Sequence, residues 1–480
     1  MNALHRVAKN TGLLLLADII AKALSIIYAM YVARYLGPEG YGVIGFAMAF
    51  TGILGVASDL GIGTLIIRDL ARDPSQAKKY LGNIILIKIL LALVAFALIG
   101  LTINLMGYPG KTIEVVYLLT LYVIFGGFAG IFTSEFQASQ RMEYISLGRV
   151  LSPVLLLAFS LYAVSKQADV VVFAAIYAVV NLILFVYSFL VSYWRFARPE
   201  LKVDMAFWRS SIKEALPFGI TSLSIVIYYQ ISRVILSLMV DNKAVGYYTA
   251  AYNLVINLLF FYAAFTAAIF PLLSSLYPSS KESFKLIFEK SVKYLWIVAI
   301  PMGAGVTLLA SRIIGIIYGP EFTPAVIALQ ILVWAHVVIY MNTFANVLNN
   351  IGQQILVTRQ TVICAVFNIF LNLMLIPHYG FIGSSLATLA TESLAFTILY
   401  YYISKTEFRF PLRRFFGYFM KISAATLVMA SFVVYFINVN IIIIILAAIF
   451  IYFISLYLVK GIEEDDIQFA EKLVQSRFGK

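Results

Sequence analysis

Apolar runs of about twenty residues, parted by short polar breaks, recur from one end of this chain to the other and leave few folds open. Hydrocarbon offers no water to backbone amides, so only helices and closed barrels can span it. Barrel strands are written as short alternating segments. Uninterrupted runs of this length choose helices instead. The composition agrees: 62% of the 480 residues are hydrophobic and 12% are charged, with a mean hydropathy of +0.94. Soluble domains carry about 45–50% apolar and 25% charged residues. The chain therefore reads as an all-α polytopic membrane protein.

Apolar windows and helix breakers place about 14 transmembrane helices, near 10–35, 43–67, 80–106, 113–136, 145–165, 168–194, 215–240, 247–274, 290–311, 325–349, 354–376, 383–404, 416–437 and 441–459. At about 21 residues each they use roughly 294 residues, which leaves no room for an appended soluble domain. The apolar stretch behind Met1–Asn10 runs past Tyr31 without a small-residue cleavage site, so it reads as a retained first span and not a signal peptide. Gly37-Pro38-Glu39-Gly40, Tyr108-Pro109-Gly110, Asp241-Asn242-Lys243 and Gly319-Pro320-Glu321 are turn formers between spans.

Orientation follows from charge. With these spans, 25 of the 35 Lys and Arg residues fall on one side, against Arg34, Lys111, Lys166, Lys243 and Arg312 on the other. Basic loops stay in the cytoplasm, so both termini are expected there, in a multi-pass protein of the plasma (inner) membrane. The net charge of +12 is then mostly topology, and a nucleic-acid partner is not expected because the basic residues are scattered over many loops. Two segments read as lying on the cytoplasmic surface among membrane lipids: Met205–Lys213, with Phe207 and Trp208, and the tail, where Ile467, Ala470, Leu473, Val474 and Phe478 share one helical face.

Gly40-Tyr41-Gly42 opens span 2 and Gly246-Tyr247-Tyr248 opens span 8, six spans on. An even number of intervening spans means a parallel repeat, two six-helix lobes related by a pseudo-two-fold along the membrane normal plus two C-terminal helices. The expected division is 1–200 for an N-terminal lobe, 201–214 for a cytoplasmic linker, 215–404 for a C-terminal lobe, 405–459 for spans 13 and 14, and 460–480 for a cytoplasmic amphipathic tail.

The stretches Ala33-Arg34-Tyr35-Leu36-Gly37-Pro38-Glu39-Gly40-Tyr41-Gly42, Asp59-Leu60-Gly61-Ile62-Gly63 and Val245-Gly246-Tyr247-Tyr248-Thr249-Ala250-Ala251-Tyr252 resemble polysaccharide-biosynthesis flippases of the Wzx type. So do Asn368 through Asn372, Ile376-Pro377-His378-Tyr379-Gly380-Phe381-Ile382-Gly383 and Ala387-Thr388. These flippases belong to the multidrug/oligosaccharidyl-lipid/polysaccharide exporter superfamily. The resemblance covers essentially the whole chain. It implies a two-lobe transporter, not an enzyme, that turns lipid-linked (polyprenyl diphosphate) oligosaccharide across the membrane by alternating access, with glycan-assembly enzymes as further partners. Many relatives carry an acid in span 7 where this chain has Gln230-Ile231-Ser232-Arg233, so a coupling role for that acid does not transfer.

Ionisable residues inside spans are costly unless they pair or line a wet cavity, which makes each a functional candidate. At 1.5 Å per residue, Asp18, Asp59 and Lys88 lie about 12 Å from the cytoplasmic span ends and Lys22 about 18 Å. Asp18 and Lys22 are one turn apart and can pair within span 1. Two readings stand side by side: the acids merely neutralise Lys22 and Lys88 within the first lobe, or the cations serve a substrate. Arg149 and Arg233 add positive charge without an evident acidic neighbour in sequence. The anionic diphosphate of the implied cargo needs such cations to pass hydrocarbon, so Lys22, Lys88, Arg149 and Arg233 are its candidate ligands. Asn342 and Asn346, in a stripe with Asn349, suit sugar hydroxyls, though interhelical hydrogen bonds explain each Asn equally simply. Asp18, Asp59 and Glu392 are the acids expected to couple transport to an ion gradient.

No cofactor or metal is expected. Cys364 is the single cysteine, and His5, His336 and His378 lack ligand spacing. Three competing functions remain: a drug/cation antiporter of the same superfamily, which calls for an acidic, aromatic pocket; a membrane-embedded glycan polymerase or ligase, which calls for large external loops; and a non-transporting membrane scaffold, which the charge cluster disfavours.

Overall fold

The computed structural model describes residues 3–410 and 412–462. The tail face from Ile467 to Phe478 lies outside the described residues. Those residues form fourteen α-helices, short 3-10 turns and no strand. In chain order the helices are α1 (Ala3–Gly55), α2 (Ile62–Arg72), α3 (Ala77–Leu105), α4 (Gly110–Ala138), α5 (Met142–Ser165), α6 (Val170–Arg195) and α7 (Met205–Met239). They continue with α8 (Asn242–Leu276), α9 (Lys281–Ile317), α10 (Ala325–Met341), α11 (Phe344–Asn350), α12 (Gln354–Ser404), α13 (Leu412–Tyr435) and α14 (Ile441–Leu458). Among the described residues, twelve helical stretches are long and apolar enough to cross a membrane.

Helices and expected spans do not correspond one to one. α1 and α12 hold 53 and 51 residues and each bends at a glycine, Gly37 (φ 66) and Gly380 (φ 53), so each contains two helical arms. The Gly37-Pro38-Glu39-Gly40 stretch is accordingly not a loop. Helix resumes directly at Pro38, whose fixed φ and missing N–H suit a first helical position. Conversely, the expected run 43–67 is broken at Val56–Ser58, where Leu60 (φ 48) and Gly61 (φ 82) take left-handed backbone. The expected run 325–349 is broken at Asn342 (φ −99, ψ 67), between α10 and α11.

Contacts divide the chain into two compact units, Met1–Ala250 with Asn368–Ser384, and Ala251–Phe367 with Ser385–Lys480. In the first unit Ile66, Leu81, Ile84, Phe132 and Phe136 form a closed core, with Phe185 and Phe189 against it. A second cluster, Tyr28, Val32, Phe173 and Val180, joins α1 to α6. The second unit is built around Phe284, Phe288, Trp296, Tyr340 and Phe344, and Tyr452 of α14 donates its hydroxyl to the Ile297 carbonyl at 2.8 Å. Large apolar side chains such as Leu93, Leu101, Leu446 and Phe450 are left exposed, as hydrocarbon-facing residues of a membrane protein would be.

α7 and the first turns of α8 fall in the first unit because they meet α1 and the 59–61 break at backbone distance. A Cβ at Gly42 would sit 1.7 Å from the Asn242 carbonyl, and one at Gly246 would sit 1.9 Å from the Pro38 carbonyl. These are the two segments whose likeness suggested the repeat, and they are pressed together. Gly61 is constrained twice, by its positive φ and by Phe218, whose Cβ lies 2.5 Å from where a Gly61 Cβ would stand.

The segment Met205–Lys213 is the start of α7 and is fastened to α3. Trp208 Nε1 and the Asp204 amide both donate to the Asn83 side chain at 2.9 Å, Phe207 meets Tyr80 edge to face, and Lys79 pairs with Asp204 at 2.7 Å. Asp204 also caps the helix by accepting from the Phe207 amide. The Lys79 ammonium and that amide hold the Asp204 carboxyl below the usual carboxylate range.

Candidate functional site

The break in the second helical arm explains the first ion pair. Between Gly55 and Gly61 the chain leaves the α-helix, Ser58 returns its hydroxyl to the Gly55 carbonyl at 2.7 Å, and Asp59 is turned toward α3. There Lys88 Nζ lies 2.6 Å from Asp59 Oδ1 and donates to the Gly127 carbonyl of α4 at 2.7 Å. The lysine is buried, its side chain 4% exposed, while the aspartate is 43% exposed. One ammonium therefore ties three elements together and sits behind a half-exposed carboxylate.

The second pair corrects an expectation. Asp18 bridges to Arg149 of α5, at 2.7 Å, so the arginine that lacked an acidic neighbour in sequence has one 131 residues away. Both partners stay partly exposed, Asp18 at 36% and Arg149 at 45%. Lys22, one turn past Asp18 on α1, is half-buried. Two of the four cations named from sequence thus share their charge with two of the three named acids, each on a different element.

Arg233 is buried on α7 and donates to the Gln230 side chain. Beside it Ser232 reaches Asn368 Oδ1 at 3.5 Å, and Asn372 Nδ2 donates to the same oxygen at 2.9 Å. This is a cation set among amides and hydroxyls within the first unit.

The second unit gathers the remaining candidates differently. Asn342 ends α10, and its carbonyl accepts from the Tyr262 hydroxyl at 3.3 Å while its Oδ1 has no hydrogen-bond partner. Asn346 lies on α11 across the break, its carbonyl accepting from Asn350 at 2.8 Å, and Asn349 is exposed. The three asparagines therefore do not share one continuous helical stripe. The neighbouring Thr343 hydroxyl is buried and without a partner. Glu392 is buried on α12, and Cys364 is buried with Gln360 donating to its sulfur at 3.2 Å. Among the described residues no group of three His, Cys, Asp or Glu side chains could hold a metal ion.

Three buried ionisable groups escaped the sequence reading. Glu135, in the last turn of α4, accepts from the Ser192 hydroxyl at 2.5 Å. Glu289 and Lys293 are buried one turn apart on α9, with the Lys293 ammonium 5.1 Å from the Tyr418 ring centroid. All three stand at the edges of expected spans, where an acid or base is ordinarily read as the start of a loop. The i, i+4 spacing of Glu289 and Lys293 was the available signal; Glu135 had none.

Residues 7–277 match the family model described as "Polysaccharide biosynthesis protein". The chain is 24% identical over 413 residues to the "Probable low-salt glycan biosynthesis flippase Agl15" of Haloferax volcanii, covering 83% of both chains. Among solved structures it is similar to that titled "Lipid II flippase MurJ, inward closed conformation", with a TM-score of 0.76 and 17% identity over 92% of this chain and 97% of that one. It is also similar to an inward-facing multidrug resistance MATE family transporter of the MOP superfamily, with a TM-score of 0.61 and 18% identity over 80% of this chain and 94% of that one. At these identities the structural likeness establishes the fold.

Proposed function

The chain belongs to the polysaccharide biosynthesis protein family, and from that premise we propose that it is a flippase for lipid-linked oligosaccharide, carrying the sugar and its diphosphate across the plasma (inner) membrane by alternating access while the prenyl tail stays in lipid. The flippase name of its relative in Haloferax volcanii supports the cargo class. The charge bias of the loops supports cytoplasmic termini. Glycan-assembly enzymes supply the cargo and receive it.

The observation that carries this reading is the half-exposure of Asp18 and Arg149, on helices otherwise fit for hydrocarbon, and of Asp59 in the break that ends one of them. Ionised groups at that depth need water, and water inside a bundle of such helices means a polar passage. The pairs also suggest how an anion is accepted. Asp18 and Asp59 hold Arg149 and Lys88 in place. A diphosphate oxygen offers Lys88 a charge-assisted bond equivalent to that of Asp59, so cargo is bound by exchange of one oxyanion for another. Lys22 and Arg233 complete the set of cations, Asn342 and Asn346 meet sugar hydroxyls, and Asp18, Asp59 and Glu392 are where a proton or cation gradient couples.

The reading is tested in vesicles loaded with fluorescent prenyl-diphosphate-linked oligosaccharide. Arg233→Ala and Lys22→Ala, at wild-type abundance, are expected to slow translocation about tenfold or more, the loss of a charge-assisted bond of about 1.5–3 kcal/mol. Wild-type rates in both would remove the cation role.

A further inference from the structure

Within the first unit a cavity of about 510 Å³ lies among α1, α4, α5 and α6, apart from the Lys88 pair. Its volume is that of a small-molecule site, typically 300–1,000 Å³. At roughly 30 Å³ per water it is far too large for one or two bridging waters. Its lining is unusual for an interior made of apolar helices. Ser134, Ser152 and Ser188 face it, with Gln137 in the last turn of α4.

What these serines do not do is informative. A hydroxyl in an apolar helix ordinarily returns to the carbonyl one turn back, as Thr51, Thr120 and Ser291 do here at 2.7 Å. Ser134 and Ser188 are buried, 8% and 3% exposed, yet make no hydrogen bond among the described residues, and neither do Ser152 and Gln137. Ser134 and Ser188 keep donor and acceptor capacity for a guest, in surroundings where an unmet polar group is costly, and the exposed Gln137 adds an amide beside them. The rim carries one charged side chain, Arg149, and Asp18 cancels it at 2.7 Å. A diphosphate would find no uncommitted cation here and a cationic drug no surplus of negative charge. The ligand that matches is uncharged and rich in hydroxyls. Tyr187, whose hydroxyl donates to the Tyr144 carbonyl at 3.1 Å, adds an aromatic edge of the kind sugar rings pack against.

We propose that this cavity is a binding site for one uncharged sugar residue, reached from the cytoplasmic ends of α4 and α5. Its use during transport rests on the flippase reading; its chemistry does not. A sugar held here would be read by hydroxyl geometry at an early stage, separately from the phosphates.

The test uses full-length protein in lipid nanodiscs, with Cys364→Ser and a single reporter, Ser152→Cys. Maleimide labelling is followed with glucose, galactose, mannose and N-acetylglucosamine, free and on a short prenyl diphosphate, and with inorganic diphosphate. At least one neutral sugar is expected to slow labelling about threefold or more near saturation, as occupancy of a single site requires, and diphosphate alone to leave it unchanged. Protection by free and lipid-linked sugar alike supports recognition of the headgroup itself; protection only by the lipid-linked form supports the same site with the tether required. Protection by diphosphate alone, or by no probe, overturns the proposal.

A second variant guards against a trivial effect of the cysteine. A Cβ at Gly148 would stand 3.8 Å from the Tyr187 ring, an ordinary contact, so Gly148→Leu should fold while filling the cavity. It is expected to abolish the thermal shift that the same sugar gives the otherwise wild-type protein; a retained shift would place the sugar elsewhere. Glycolipid translocation in vesicles keeps the two ideas separate. Translocation without sugar protection removes this site and leaves the flippase reading, and protection without translocation does the reverse.

Discussion

The two compact units hold their polar candidates differently, although the second also buries Glu289, Lys293 and Glu392. In the first, ionised groups form bridges between helices: Asp18 to Arg149 and Asp59 to Lys88, each with at least one partner open to solvent. In the second, asparagines, a tyrosine and a threonine cluster at the break between α10 and α11, inside a shell of Phe284, Phe288, Phe344 and Tyr340. Charge inside a membrane is tolerable when it is both paired and wetted; amides need neither, since they can satisfy one another or the backbone. The difference suggests that the first unit handles the diphosphate and one sugar of the cargo, while the amides of the second meet further sugar hydroxyls.

The largest effect expected from breaking this comparison is at Asp59. Asp59→Leu leaves the Lys88 ammonium uncompensated in a buried position, which should destabilise the protein by about 3–5 kcal/mol in detergent unfolding. Asp18→Leu strands an arginine that is 45% exposed, and water can replace its partner. The cost there should be about 0–1 kcal/mol. Equal losses at the two sites would mean that depth is not what separates the pairs.

The second unit should respond more weakly. Asn342→Leu removes a side-chain oxygen that has no partner, so unfolding should move by less than about 1 kcal/mol, while translocation of the oligosaccharide falls at unchanged abundance. A large loss of stability with no transport defect would return Asn342 to a purely structural role. Tyr262→Phe removes the hydroxyl that reaches the Asn342 carbonyl at 3.3 Å, at a cost of about 0.5–1 kcal/mol.

The smallest effect concerns the strap that joins α6 to α7. Because the Asp204 carboxyl is held below its usual range, its contribution is complete above the unfolded carboxylate value of about 3.9 and is lost as pH falls through the lower folded value. The protection of the Phe207 and Trp208 amides from hydrogen exchange, relative to the intrinsic rate at each pH, should hold from neutral pH to about 4.5 and fall only below about 4. Asp204→Ala should remove that pH step; an unchanged step would assign it to another group.

How far this molecule could be read from its residues depends on the length scale of the signal. Span positions follow from windows of apolar residues, and the bends at Gly37 and Gly380 from glycine beside or near proline, because both are local. The break at Asn342 was hidden: asparagine at i, i+4, i+7 looks like a helical stripe whether or not the helix continues. Partner choice was beyond reach for a similar reason. Asp18 has Lys22 one turn away in sequence, yet its bridge is to Arg149, and only the packing of α5 on α1 brings that arginine near. The cavity serines left no trace either, since a serine facing space and one bonded to its own helix are written identically.

The central claim is that the polar interior serves an anionic, sugar-bearing lipid. It is tested most directly by reconstituting the protein into vesicles and following, in parallel, a fluorescent prenyl-diphosphate-linked oligosaccharide and a cationic dye. The account predicts protein-dependent movement of the glycolipid and none of the dye. Movement of the dye with the glycolipid left in place would contradict it and assign the chain to cation export.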